Sequence, residues 1–264
     1  MIRAINEMTL DTTINPRYAA SPDVEAEIRG FVSEFESSGE TIFQNRRNTI
    51  KMFAADSLHR KVVVKRYGNK GLPKQFFSLF KKSKAQKAFD NGLMLEAVGI
   101  ATPEPIAYIN ERRGRWMKAC YSVTAYTPDT ALTPLLERPL PDAEAVKALA
   151  RLTAAMHDSG IAHRDLNLSN VLQHTDSNGH LVLTLIDINR MRHRADRRPL
   201  TRIADYARDL LRFTGRLDVF LPVAYEYARL RGFDAEPFVR RLTKMKIKHD
   251  ANWTRRKKFN RLFH

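Results

Sequence analysis

One cysteine in 264 residues, Cys120, leaves no partner for an internal disulfide and no cysteine set for a zinc site. Its apolar neighbours Ala119 and Tyr121 predict a buried, inert thiol in a reducing compartment. Long apolar runs are lacking too: nothing approaches the roughly 18 uninterrupted apolar residues of a membrane span. The start, Met1 to Glu7, has one basic residue and no apolar stretch, so it does not read as a secretory signal. Repeats and low-complexity tracts are missing. A soluble, cytoplasmic protein is expected, long enough to bury a proper core. Acidic residues are the last deficit: 29 Asp and Glu against 45 Lys and Arg give a formal charge of +16. Such a surface attracts polyanions, whether nucleic acid, anionic lipid, or a phosphorylated or carboxylated substrate.

The first half of the chain is patterned as mainly strands. Ile5, Met8 and Leu10 suggest a lead-in strand. Ser21-Pro22-Asp23 is a helix start, and Ile28, Phe31, Val32 and Phe35 form its apolar face. Thr41-Ile42-Phe43 and Thr49 to Phe53 flank the polar turn Gln44-Asn45-Arg46-Arg47-Asn48, which predicts a hairpin. Lys61-Val62-Val63-Val64-Lys65 is a third strand. A basic connector from Lys74 to Lys87 leads into a helix that Gly99 stops. Strands are expected over Ile106–Ile109 and Trp116–Ala125, and Thr127-Pro128-Asp129 marks a boundary. The second half is helical near 142–157, 201–214, 217–231 and 235–248, interrupted by a strand at Leu181–Ile186. The expectation is a bilobal α+β enzyme, one domain over 1–264 with a small β-rich lobe at 1–126 and a helical lobe at 127–264.

His163-Arg164-Asp165-Leu166-Asn167-Leu168-Ser169-Asn170 fits the kinase catalytic-loop pattern at every fixed position. Phosphoryl transfer needs an acceptor hydroxyl in line and a place for charge to go. Asp165, with His163 and Arg164 in the same loop, is the candidate that orients that hydroxyl. Asn170 and Asp187 are the candidate Mg²⁺ ligands, the latter closing an apolar strand. Lys65 would pair with the α and β phosphates of ATP. Asp187-Ile188-Asn189 stands where kinases carry Asp-Phe-Gly, and Asn189 is expected to take the left-handed backbone that Gly would supply. The phosphate hairpin holds no glycine; its amides around Asn48, with Arg46 and Arg47, are the candidate phosphate contacts. The adenine edge is expected on backbone groups from Val123 to Tyr126. The carboxylate partner of Lys65 is open between Asp90 and Glu96, and the position expected by distance from Gly99 holds Asn91.

Together these residues resemble the protein-kinase-like superfamily, and within it the lipopolysaccharide kinase family. The narrower likeness rests on Lys82-Ser83-Lys84-Ala85 leading to Gly99-Ile100-Ala101-Thr102-Pro103-Glu104-Pro105, on the Arg/Asn-rich hairpin, and on the lack of an Ala-Pro-Glu segment after Asp187. The resemblance spans roughly 40 to 215. It implies an ATP- and Mg²⁺-dependent kinase acting on a Kdo or heptose sugar of the lipopolysaccharide inner core. Asn167 stands where Ser/Thr protein kinases carry Lys, which favours a sugar over a protein acceptor. Arg190, Arg192, His193, Arg194, Arg197 and Arg198 follow the metal site and are expected to dock an anionic acceptor, lipopolysaccharide or a lipid-linked sugar. The run from Lys244 to Phe259, with Trp253, is expected to touch the anionic inner face of the inner membrane. No specific nucleic acid is expected. The alternatives are a protein or soluble small-molecule kinase, and an inactive nucleotide- or nucleic-acid-binding scaffold.

Overall fold

The computed structural model describes residues 8–45, 48–68, 82–114 and 116–262, with side chains to residue 256. The chain divides into two compact units: Met1–Pro128 with Ile188–Arg190, and Asp129–Asp187 with Met191–His264.

The first unit is built on a six-stranded antiparallel sheet. Its strands are β1 (Met8–Ile14), β2 (Glu40–Gln44), β3 (Asn48–Ala55), β4 (Arg60–Tyr67), β5 (Pro105–Arg113) and β6 (Trp116–Ala125), in the order β1-β5-β6-β4-β3-β2. Alternation along β4 decides which residues meet which helix. Val62 and Val64 face α1 (Pro22–Ser33), joining Val24, Ile28, Phe31 and Phe35 in the larger core cluster. Lys65 and Tyr67 fall on the other face, where Tyr67 packs with Ala85 of α2 (Lys84–Ala97), Met117 and Cys120. Burial raises the pKa of the Cys120 thiol, so it stays protonated as expected. Ser21 stands at the α1 N-cap without donating or accepting a capping bond, whereas Ser83 Oγ caps α2 by accepting from the Gln86 N–H at 2.9 Å. Helix α2 ends where Gly99 takes φ +72°, so the chain can turn back and bond Ile100 N–H to the Leu95 carbonyl at 3.0 Å.

The second unit is mainly helical: α3 (Thr133–Leu136), α4 (Ala143–Asp158), α5 (Ile203–Arg212), α6 (Leu217–Leu230) and α7 (Ala235–Leu262). Two small sheets carry its loops: β7 (Thr130–Ala131), β9 (Val171–Thr175) and β10 (Leu181–Leu185) form one, and β8 (Ile161–Ala162) with β11 (Arg192–His193) the other. Of these, β10 matches the strand expected over Leu181–Ile186, whereas the two-residue pieces and β9 carry too little periodicity to be read from the sequence. The last helix outruns its expected end at 248 because nothing in its basic continuation breaks a helix. Among the described residues, no helix is long and apolar enough to cross a membrane.

Candidate active site

The loop His163–Asn170 leaves β8 and is fixed by one buried carboxylate. Asp209, on α5 and fully buried, accepts the His163 N–H at Oδ2 and the Arg164 N–H at Oδ1, both at 2.7 Å. These two bonds hold Arg164 at φ +69°, a conformation that L residues avoid. The carboxylate is itself braced. His157 of α4 places Nε2 3.4 Å from Asp209 Oδ2 and Nδ1 2.9 Å from the Tyr227 hydroxyl of α6. Arg231 donates to that hydroxyl at 2.8 Å and pairs with Asp158 at 2.9 Å. Because Asp209 accepts, His157 Nε2 carries the proton and Nδ1 accepts from Tyr227. Burial pushes the His157 pKa down, keeping this ring neutral.

His163 is buried as well, and burial also lowers its pKa. Its Nε2 lies 3.2 Å from the Ile186 carbonyl, which can only accept, so that nitrogen donates. Ile186 N–H in turn donates to the Asn170 carbonyl at 3.0 Å, and Asn170 Nδ2 to the Asp165 carbonyl at 2.9 Å. The loop and the strand end bearing Asp187 are thereby stitched into one frame. Asn167 folds back into the loop: Nδ2 donates to the Asp165 carbonyl at 3.2 Å, and Oδ1 accepts the Ser169 N–H at 3.1 Å. The Asp165 carboxylate meets Arg212, at the end of α5, with Nη2 to Oδ1 at 2.7 Å.

Asp187, not Asn189, takes the left-handed backbone, at φ +56°. Ile188–Arg190 closes as a 3-10 turn, which keeps Asn189 right-handed and moves the reversal up to the carboxylate itself. The turn is pinned within the first unit by Asn91 of α2, whose Nδ2 donates to the Ile188 carbonyl at 2.7 Å. Asn91 thus serves the segment after Asp187. The two carboxylates considered for Lys65 are engaged elsewhere: Asp90 with Lys82 at 2.6 Å, and Glu96 with Arg17 at 3.3 Å. Lys65 Nζ lies 5.2 Å from the Tyr67 ring centre, and Lys84 Nζ 5.9 Å from the same centre.

Two expectations for nucleotide contacts change. Arg46 and Arg47 lie outside the described residues, as does most of the basic connector. At Asn48 the N–H donates to Asn45 Oδ1 at 2.8 Å, and Asn45 N–H donates to the Asn48 carbonyl at 2.9 Å, so these amides close the hairpin rather than facing a phosphate. Val123 is buried between β4 and β5 with partners on both sides. Tyr126 N–H donates to the Lys61 carbonyl at 3.1 Å, and Ala125 N–H to Glu104 at 2.9 Å. An adenine reading this segment would have to use carbonyls.

The arginines after the Ile188–Arg190 turn lie on β11 and the exposed segment beyond it. Arg194 and Arg198 both engage Asp196, at 3.1 and 3.7 Å. The segment packs against Gly160, where a Cβ would stand 2.6 Å from the Arg198 carbonyl oxygen.

Asn170 and Asp187 offer oxygen ligands of the kind Mg²⁺ takes. With its amide nitrogen donating to the Asp165 carbonyl, Asn170 would offer its oxygen to such an ion. Among the described residues no three His, Cys, Asp or Glu side chains converge as a metal cage, so such an ion would draw its other ligands from phosphate and water.

A β-rich unit with a strand lysine, a helical unit with this loop, and an aspartate closing an apolar strand define a protein-kinase-like fold. The comparisons narrow the class. A family model described as "Lipopolysaccharide kinase (Kdo/WaaP) family" matches residues 25–214, and the chain belongs to that family. It is therefore an ATP-dependent kinase. Among solved structures, "WaaP in complex with acyl carrier protein" is similar with a TM-score of 0.59 at 20% identity, over 90% of this chain and 98% of that one. The Rio2 kinase-ADP/Mg²⁺-phosphoaspartate complex from Chaetomium thermophilum aligns with a TM-score of 0.47 at 16% identity, over 89% and 71%. No curated protein matches.

Asp209, His157, Tyr227 and Arg212 escaped sequence reasoning, and so did the role of Asn91. A signal existed for the first. A carboxylate flanked by Tyr206, Ala207, Leu210 and Leu211 sits on the buried ridge of an amphipathic helix, where an acidic residue needs a specific partner.

Proposed function

We propose that the chain transfers the γ-phosphoryl group of ATP to a hydroxyl of a lipopolysaccharide inner-core sugar, Kdo or heptose, at the cytoplasmic face of the inner membrane. The observation that carries the chemistry is the frame binding Asp165, Asn170 and the residue before Asp187 through the Asn170 carbonyl and amide. In it Asp165 orients the acceptor hydroxyl and receives its proton, with His163 and Arg164 fixing the loop through Asp209. Lys65 holds the nucleotide phosphates. Asn170 and Asp187 would hold Mg²⁺, which when bound offsets the charge on the phosphates. Asn167 is spent on the loop, so no lysine reaches toward a peptide hydroxyl as in Ser/Thr protein kinases.

The exposed end of α7 supports peripheral attachment. Ile247 and Trp253 are 58% and 60% exposed, among Lys244, Lys248, Arg255 and Arg256. Apolar and basic side chains together suit an anionic bilayer surface. Sedimentation with vesicles should show binding to phosphatidylglycerol-containing bilayers and loss of it in pure phosphatidylcholine.

The deciding experiment incubates the protein with γ-labelled ATP and either deep-core lipopolysaccharide or a protein extract. Label should enter lipopolysaccharide and disappear with Asp165→Ala. Label confined to protein would overturn the substrate assignment.

A further inference from the structure

We infer that Arg164, Arg208 and Arg212 form an anion subsite beside Asp165 that takes a phosphate or carboxylate of the acceptor, adjacent to the hydroxyl that is phosphorylated. The inference rests on the kinase reading in one respect: Asp165 marks the acceptor's side of the reaction.

Three observations carry it. First, Arg212 binds the Asp165 carboxylate directly, at 2.7 Å, with its side chain a quarter exposed. A guanidinium has five N–H donors in a planar fork, so one that holds Asp165 can serve a second anion at the same time. Second, Arg208 stands one turn earlier on α5, on the ridge that carries Arg212. Arg208 is exposed; partial desolvation first, and then the charges of Arg164 and Arg212, make it a weaker base than a free guanidinium, while Asp165 and Asp209 offset this in part. Third, the two carboxylates whose charges reach Arg208, Asp165 and Asp209, are engaged. Asp209 accepts two backbone N–H groups, and Asp165 faces Arg212.

Of the two carboxylates that offset Arg208, one is held by Arg212 and the other by the loop backbone. Clustering like charges costs stability, and the cost is offset when an anion enters. Arginine forks match carboxylate and phosphate geometry in bidentate fashion. The nucleotide is the less suitable occupant, because the metal-binding residues Asn170 and Asp187 mark its side and Arg212 touches the residue that acts on the acceptor. Of the arginines beyond Asp187, Arg194 and Arg198 are shared by Asp196, a carboxylate of their own segment rather than the one beside the acceptor. The substrate class is thus a hydroxyl with an anionic group beside it.

The test titrates inorganic phosphate into the full-length protein by calorimetry at constant ionic strength. It compares wild type, Arg208→Gln and the control Arg202→Gln. Arg202 lies just before the same helix and pairs with Asp205, so its loss removes equal charge away from the cluster. Loss of a charge-assisted contact should weaken phosphate binding about tenfold in R208Q. R202Q should change it less than about twofold, and R208K should recover part of the loss. Equal affinities in R208Q and R202Q would overturn the subsite.

Kinetics add a second arm. Phosphate should compete with lipopolysaccharide and not with ATP, and competition with ATP would also overturn the inference. R208Q should raise the KM for intact core. If the rise vanishes on dephosphorylated core, the recognised group is a phosphate; if it persists, a carboxylate. An unchanged KM on both acceptors would refute the assignment. Failure to phosphorylate any lipopolysaccharide would sink the proposed function and leave the phosphate titration to decide the subsite.

Discussion

Asp209→Asn tests the claim that the catalytic loop is held from α5 rather than by its own turns. The side chain is fully buried, and each carboxylate oxygen receives a backbone N–H at 2.7 Å. A hydrogen bond to a charged acceptor contributes about 1.5–3 kcal/mol, and a buried donor left without an acceptor costs about 1–3 kcal/mol. Asparagine keeps one accepting oxygen but sets an NH₂ against the other N–H, so it incurs one loss of each kind. Burying an amide in place of a carboxylate returns part of this. The expected net destabilisation is about 3 kcal/mol. Function should suffer separately. Arg164 is kept at φ +69° by one of these bonds, against an intrinsic penalty of about 1–2 kcal/mol. Once released, the loop relaxes, and a displacement on the order of 1 Å at Asp165 lowers turnover about a hundredfold. Urea unfolding of the full chain measures the first effect, and single-turnover phosphorylation at saturating ATP the second. A D209N protein with a wild-type urea midpoint and wild-type turnover would refute the tethering argument.

Buried His157 and His163 both have pKa values below that of a free imidazole, so the unfolded chain binds more protons as pH falls through about 6.5. Their contribution to stability is complete above that pH and is lost below it; the urea midpoint should be lower at pH 5.5 than at 7.5, and less so in His157→Gln. Gly160→Ala puts a Cβ 2.6 Å from the Arg198 carbonyl at φ +72°, and should cost about 2 kcal/mol or more by thermal unfolding. Lys246→Met removes a buried ammonium that donates to the Leu211 carbonyl at 3.1 Å and to that of Thr214; the orphaned carbonyls at the end of α5 predict a loss of about 2–3 kcal/mol in urea.

What could be read from the sequence was local. The catalytic-loop motif is legible because one contiguous loop must present Asp165 and Asn170, and five residues of spacing encode that turn. The β4 strand announces itself by Val62-Val63-Val64, and α2 by its glycine stop. Features that depend on distant partners left little trace. Asn91 differs from a helix asparagine in solvent only through the Ile188 carbonyl, 97 positions away. The left-handed residue was misplaced at Asn189 because side-chain tolerance is a property of one residue, whereas the 3-10 turn over Ile188–Arg190 depends on the three together. At the hairpin tip, two asparagines flanking a turn read equally well as ligands or as turn-closers, and the mutual Asn45–Asn48 bonds show these two closing the turn.

The same contrast explains where the rigidity of the site originates. The eight residues from His163 to Asn170 include only the short 3-10 turn Leu168–Asn170, and fixing their backbone costs about 1–2 kcal/mol per residue in lost freedom. Bonds inside the loop, from Asn167 and Asn170, cannot offset that alone at about 1 kcal/mol each. The remainder comes from outside: Asp209 at the loop's start, Ile186 at its end, and Arg212 on the Asp165 carboxylate. Asp209 and Arg212 share one helix, so a shift of α5 moves the loop backbone and the Asp165 carboxylate together. The Arg231–Tyr227–His157 chain then fixes Asp209 from α4, α6 and the turn after α6. A substitution at Arg231, which touches neither loop nor carboxylate, should therefore reach turnover through position alone, slowing transfer from bound ATP without weakening nucleotide binding.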